Sequence, residues 1–147
     1  MCIRDRLNYV EFSGGYITNL DLNSAIKNLE YEKMIIIQNS CYSANLLKNL
    51  NKLEKIKNVL TLVSANDGEG EIDDAIFTIG IIDKHLDNPK QSIKDIMEIE
   101  KKIYGKSMFY PEAFYFNENG VRRPPEECLW YNEPLITQYP SETLNNK

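Results

Sequence analysis

Met34-Ile35-Ile36-Ile37-Gln38-Asn39-Ser40-Cys41-Tyr42-Ser43-Ala44-Asn45-Leu46-Leu47 decides how this chain folds. Its apolar start shows no alternation with polar residues, the pattern of a strand covered on both faces in a parallel sheet. The run stops at polar Gln38-Asn39-Ser40. Ser43 then reads as the N-cap of a helix that carries Leu46, Leu47, Leu50 and Leu53 on one stripe. Cys41 therefore falls where a buried strand ends and a helix begins, the crevice in which open α/β sheets place ligands and reacting groups. A helix N-terminus also favours the thiolate, the nucleophilic form of cysteine. Residue type alone leaves a second reading open, in which Cys41 is a small buried hydrophobe.

Working outward, Asn58-Val59-Leu60-Thr61-Leu62-Val63-Ser64-Ala65 reads as a second buried strand, joined to the first through one helix as a parallel crossover. Upstream, Thr18 and Asp21 form a capping-box pair ahead of Leu22, Ala25, Ile26 and Leu29, which predicts a helix over 19–29. Before it, Tyr9-Val10-Glu11-Phe12 and the turn residues Ser13-Gly14-Gly15 suggest a hairpin arm. Downstream, Ile72, Ala75, Ile76, Ile79, Ile82 and Leu86 predict a helix packing that stripe on the core and ending at Asn88-Pro89. A further helix is expected from Ser92 to Tyr104 with Gly105 as its stop, and Pro111 to Phe116 reads as a last strand. From Asn117 onward, turn residues and prolines suggest an irregular tail. His85, the one histidine, lies near a helix C-terminus and reads as a surface or C-capping residue.

Composition narrows the classes of function. The chain has 147 residues with 17 basic and 22 acidic side chains, a net charge of −5 and no basic cluster, which argues against a nucleic-acid partner. No apolar run is long enough for a transmembrane helix. Cys2, Cys41 and Cys128 lack metal-ligand spacing and are odd in number, so neither a zinc site nor a disulfide framework is expected. The acidic loop from Asn66 to Asp74 imitates part of an EF-hand. In that register Ala65 would take the first ligand position and Ile76 the bidentate glutamate position, so a calcium loop is excluded. Neither metal nor cofactor is expected. The loop reads as a solvated cap for the next helix, with an acidic pocket selecting a basic substrate residue as the alternative.

Strand, polar residues, Cys41-Tyr42-Ser43, a small residue and a helix together resemble the nucleophile segment of caspase-like cysteine peptidases, nearest the bacterial legumain-like branch. Gly15-Tyr16-Ile17-Thr18, Ser64-Ala65 and Phe77-Thr78 resemble further segments of that family, so the likeness extends over about residues 16–116. It implies a three-layer α/β/α domain with a mostly parallel sheet whose first strands are missing, and a peptide or protein substrate. It further implies that Cys41 is the nucleophile and that Asn39, Ser64 and Asn66 contact substrate. The family's catalytic histidine precedes the cysteine and has no counterpart in this chain. The sequence departs from the family pattern at Asn39, where relatives carry an acidic residue or Gln, and at Ala44-Asn45, where a glycine is frequent.

Residues 1–6, Met-Cys-Ile-Arg-Asp-Arg, look like the translation of a transposon-end sequencing adapter. That reading makes the chain a fragment and leaves the compartment open. The expected organisation is thus 1–6 as artefact, 7–120 as a partial caspase-like domain and 121–147 as tail. A catalytically inactive caspase-like scaffold that binds partners is the alternative function. An unrelated flavodoxin-like module binding an anion at the helix N-terminus is a third.

Overall fold

The computed structural model describes residues 3–4, 9–12, 14–40, 43–52, 55–65, 76–104 and 110–135. Strands β1 (Ile3–Arg4), β2 (Tyr9–Phe12) and β3 (Gly15–Thr18) form a small antiparallel sheet, with Phe12 paired to Gly15 across the expected hairpin. Helix α1 (Asn19–Lys27) comes directly after β3. Its capping box is complete: the Thr18 hydroxyl accepts from the Asp21 amide at 3.1 Å, and the Asp21 carboxylate accepts from the Thr18 amide at 2.9 Å. These bonds to the ionised form hold the Asp21 carboxyl below its ordinary range.

The second sheet has the order β4 (Met34–Gln38), β5 (Val59–Val63), β6 (Glu112–Phe116), β7 (Arg122–Arg123). With its helices it makes the domain α/β, but the sheet is mixed rather than mostly parallel. β4 and β5 run parallel, whereas β5–β6 and β6–β7 are antiparallel. The parallel pair results from a helical crossover, α2 (Ser43–Lys48), and the antiparallel pair from the helical hairpin that returns the chain to the end at which β5 finishes, where Glu112 pairs with Val63.

Alternation along the strands divides the core into two clusters. Val59, Val63, Phe114 and Phe116 pack with Ile26 of α1 and with Ala44, Leu46, Leu47 and Leu50 from α2 and the 3-10 turn after it. Leu60, Leu62, Ala113 and Tyr115 pack with Phe77 and Ile81 of α3 (Ile76–Asp87) and with Ile93, Ile96 and Met97 of α4 (Ile93–Tyr104). β5 is buried along its whole length, as its sequence implies. β4 is only partly buried at every residue, contrary to the expected double cover, because among the described residues it pairs with β5 alone.

Two further expectations are overturned. On α3 the core-facing side chains are Phe77, Ile81 and His85, while Ile76, Ile79, Ile82 and Leu86 lie 44–67% exposed. His85 is therefore buried, not a surface residue, because the helix is turned with the histidine toward the core. α4 buries Ile93, Ile96 and Met97 as expected and adds Glu100, whose carboxylate accepts from Lys84 at 2.5 Å beside Gly80; Ile103 is exposed. The second correction concerns the segment after 120. It is not irregular throughout, since it holds β7 and the 3-10 turns Pro125–Glu127 and Leu129–Asn132; Cys128 and Tyr131 are fully inside the second cluster, and the Glu133 carbonyl accepts from the first amide of α4 at 2.9 Å. The described tail to residue 135 is thus part of the domain. Leu53, Ile72, Ala75 and Gly105 lie outside the described residues.

Candidate functional site

β4 and β5 are parallel and paired from Met34↔Val59 to Gln38↔Val63, so both strands deliver the chain to the same edge of the sheet. That matched ending brings Ser40 and Ser43 against Ser64 and Ala65. The ladder continues one step past the strands, with the Ser64 amide donating to the Gln38 carbonyl at 3.1 Å. Beyond it the ladder is replaced by serine hydroxyls, whose short side chains can bond to nearby backbone where strand pairing stops.

Ser64 Oγ accepts from the Ser40 amide at 3.2 Å and donates toward the Ser40 carbonyl at 3.4 Å. Ser43 Oγ donates to the Ala65 carbonyl at 3.1 Å and accepts from the Ala65 amide at 3.0 Å. The two hydroxyls stand 3.4 Å apart, and the Ala44 amide adds a bond to the Ala65 carbonyl at 3.0 Å. Ser40, Ser43 and Ser64 are each at most 2% exposed, so these bonds are made away from water and their loss leaves polar groups stranded. Gln38 Nε2 supports the turn by donating to Ser40 Oγ at 3.0 Å. Ser43 thus opens α2 as its first residue, with its hydroxyl bonded across to β5's end.

Asn39 ties the same turn to another element. Its Oδ1 accepts from the Thr78 amide at 3.3 Å, occupying one of the unpaired N–H groups in the first turn of α3. Glu112, paired with Val63, opens β6 at this end of the sheet and forms a 3.0 Å ion pair with Lys48.

Of the four site residues expected from sequence, Asn39 and Ser64 are brought to one place, whereas Cys41 and Asn66 lie outside the described residues, as do Tyr42 and the acidic loop to Ala75. Both described side chains have tasks within the protein: Ser64 pins Ser40, and Asn39 caps α3. Ser64 was expected to contact substrate, but it is buried with its hydroxyl engaged. The clamp formed by Ser40, Ser43 and Ser64 was missed as a unit. Its signal is present in the sequence: Ser40-x-x-Ser43 and Ser64-Ala65 each follow an apolar strand run.

His85 is elsewhere. It lies seven residues beyond Thr78, about 10 Å along the α3 axis, and its Nδ1 is buried without a hydrogen-bond partner. Among the described residues no group of three or more His, Cys, Asp or Glu is placed to hold a metal ion. No helix among them is long and apolar enough to cross a membrane. No family model, curated protein or solved structure matches the chain.

Proposed function

We propose that the chain carries the nucleophile half of a cysteine peptidase built on a three-layer α/β/α, caspase-like domain, with Cys41 as nucleophile. The observation that supports this reading is the clamped turn. The residues flanking positions 41 and 42 are held by buried hydrogen bonds at the shared end of two parallel strands, the location where α/β folds put reacting groups. Nucleophilic catalysis needs such a rigid platform, since misplacement by about 1 Å costs on the order of a hundredfold in rate.

In this mechanism the Cys41 thiolate attacks a peptide carbonyl, forming the C–S bond while the carbonyl electron pair moves to oxygen. Collapse restores the carbonyl, breaks the C–N bond and releases an amine protonated by a histidine. Water then attacks the thioester, releasing the acid and regenerating the thiolate. In this reading His85, which follows the cysteine in the chain and is buried on α3, does not take that role, and the family order gives it to a histidine that precedes the cysteine.

A catalytically inactive caspase-like scaffold is the second reading. The exposed apolar face of α3, with Ile76, Ile79, Ile82 and Leu86, favours it by offering a contact surface unrelated to the clamp. The flavodoxin-like anion site has less support, since α2 is six residues long and has a weak dipole.

The deciding experiment extends the coding sequence upstream from its source DNA and treats the purified product with an acyloxymethyl-ketone probe. The peptidase reading expects a histidine after an apolar strand and labelling that Cys41→Ala abolishes. An extended protein that has no such histidine and takes up no probe would leave the scaffold.

A further inference from the structure

α3 turns its poorer side to the core. Inward it carries Phe77, Ile81 and His85, and the facing helix α4 buries Glu100; His85 Nδ1 and Glu100 Oε2 have no hydrogen-bond partner among the described residues. Outward it carries Ile76, Ile79, Ile82 and Leu86, each 44–67% exposed. Burying polar atoms unpaired while four large apolar side chains stay in water is unfavourable on both counts. An apolar stripe kept outside at that cost marks a contact surface.

Spacing gives the shape of what fits it. Ile79, Ile82 and Leu86 stand at i, i+3 and i+7, the a, d, a positions of a heptad, so they form a ridge matched to the apolar seam of another helix. Charge gives the chemistry. Asp83 and Asp87, four residues apart and so on one side of the helix, are exposed beside the ridge, and neither makes an ion pair among the described residues. The basic groups of α3 are occupied elsewhere: Lys84 pairs with the buried Glu100, and His85 is itself buried. The charge on the outward side of α3 is thus negative.

We propose that the outward ridge of α3 docks an amphipathic helix whose apolar seam is bordered by lysine or arginine. The site does not involve Cys41 and holds whether or not that residue is a nucleophile. A second copy of this chain would bring the same two carboxylates and a net charge of −5, and an anionic lipid surface would meet the same repulsion.

The probe is a synthetic three-heptad peptide with leucine at a and d and lysine at e and g, whose own copies repel one another. Its counterpart carries glutamate at e and g. Each is labelled with fluorescein and titrated with the 147-residue chain, with binding read by fluorescence anisotropy. The variants are Ile79→Ser, which removes an anchor without adding charge, and the pair Asp83→Asn with Asp87→Asn; circular dichroism and urea midpoints confirm that both fold as the wild type does. The lysine peptide is expected to bind the wild type about tenfold more tightly than it binds Ile79→Ser, and about tenfold more tightly than the glutamate peptide does. The double variant is expected to bind it about threefold more weakly than the wild type and to lose most of the salt dependence.

A wild type that binds neither peptide, or that binds the lysine peptide no better than Ile79→Ser does, overturns the docking site. Equal binding of the two peptides, or undiminished binding by the double variant, overturns the basic partner. A wild type that dimerises in sedimentation while Ile79→Ser stays monomeric gives the ridge to a second copy. Flotation with phosphatidylglycerol vesicles that Ile79→Ser abolishes gives it to a lipid surface, and either result overturns the proposal.

Discussion

Burial sets the chemistry of Cys128. Its side chain is fully enclosed in the cluster beneath α3 and α4, and loss of hydration pushes the thiol from its ordinary value of 9.0 up to about 11, against weaker opposing pulls from backbone amides and Lys33. It is the structural kind of cysteine, protonated and inert at neutral pH. Tyr131 beside it is likewise raised by burial. The resulting pH effect has a definite sign. Between about pH 9 and 11 the folded state keeps a proton on Cys128 that the unfolded chain has released, so stability is full below 9 and declines as pH rises through that interval. Iodoacetamide at pH 8 is therefore expected to spare Cys128 in the native chain and modify it in urea, as read by peptide mapping. Urea midpoints should fall from pH 9 to pH 11. Rapid native alkylation at pH 8 would show that the enclosure is wrong.

At the level of elements, α3 shows where pattern reading succeeds and where it stops. Its sequence, Ile76-Phe77-Thr78-Ile79-Gly80-Ile81-Ile82, is apolar nearly all round, so the 3.6-residue period admits two stripes. The one at Ile76, Ile79, Ile82 and Leu86 has more members, but the fold uses Phe77, Ile81 and His85. The choice is tertiary. Gly80 must face α4, because a Cβ there would meet Glu100 Oε1 at 2.7 Å, and Lys84 must reach the buried Glu100. No local pattern encodes that pairing. By contrast, α1 declared itself through Thr18 and Asp21, β5 through its unbroken apolar run, and the first part of α4 through Ile93, Ile96 and Met97. The strand ends of the candidate site were legible, whereas the serine clamp required the β4–β5 register to be known. The helix phase can be checked by paired substitutions. Ile81→Ala, deep in the core, is expected to cost about 2–5 kcal/mol, and Ile79→Lys within about 0.5 kcal/mol of nothing, both from urea unfolding. A reversed order would restore the other stripe.

For the molecule as a whole, the question is which residues unfold together. The expected boundary near 120 assigned residues 121–147 to a tail, because the prolines and turn residues there carry no period. Periodicity cannot register a segment that contributes single anchors to a core. Here the anchors are Cys128 and Tyr131, at most 1% exposed. Trp130 is seated edge-on against Tyr115 with ring centroids 5.3 Å apart, and the Lys33 ammonium lies 5.4 Å from its centroid. The Glu133 carbonyl receives the first amide of α4, and Pro134 bridges to Ser92. These contacts join the segment to β6, to the residue preceding β4 and to α4, so its loss would expose the sheet face that α3 and α4 share. Tyr131→Ala is therefore expected to destabilise the domain by about 3–5 kcal/mol, the range for emptying a large aromatic site. Trp130 is the chain's single tryptophan, so its fluorescence reports this segment alone while far-ultraviolet circular dichroism reports the helices. In one cooperative unit the two signals change at the same urea concentration, and Tyr131→Ala lowers both midpoints equally. Were the fluorescence to change first, with ellipticity unmoved by the substitution, the segment would be a separately melting strap and the domain boundary near 120 would stand.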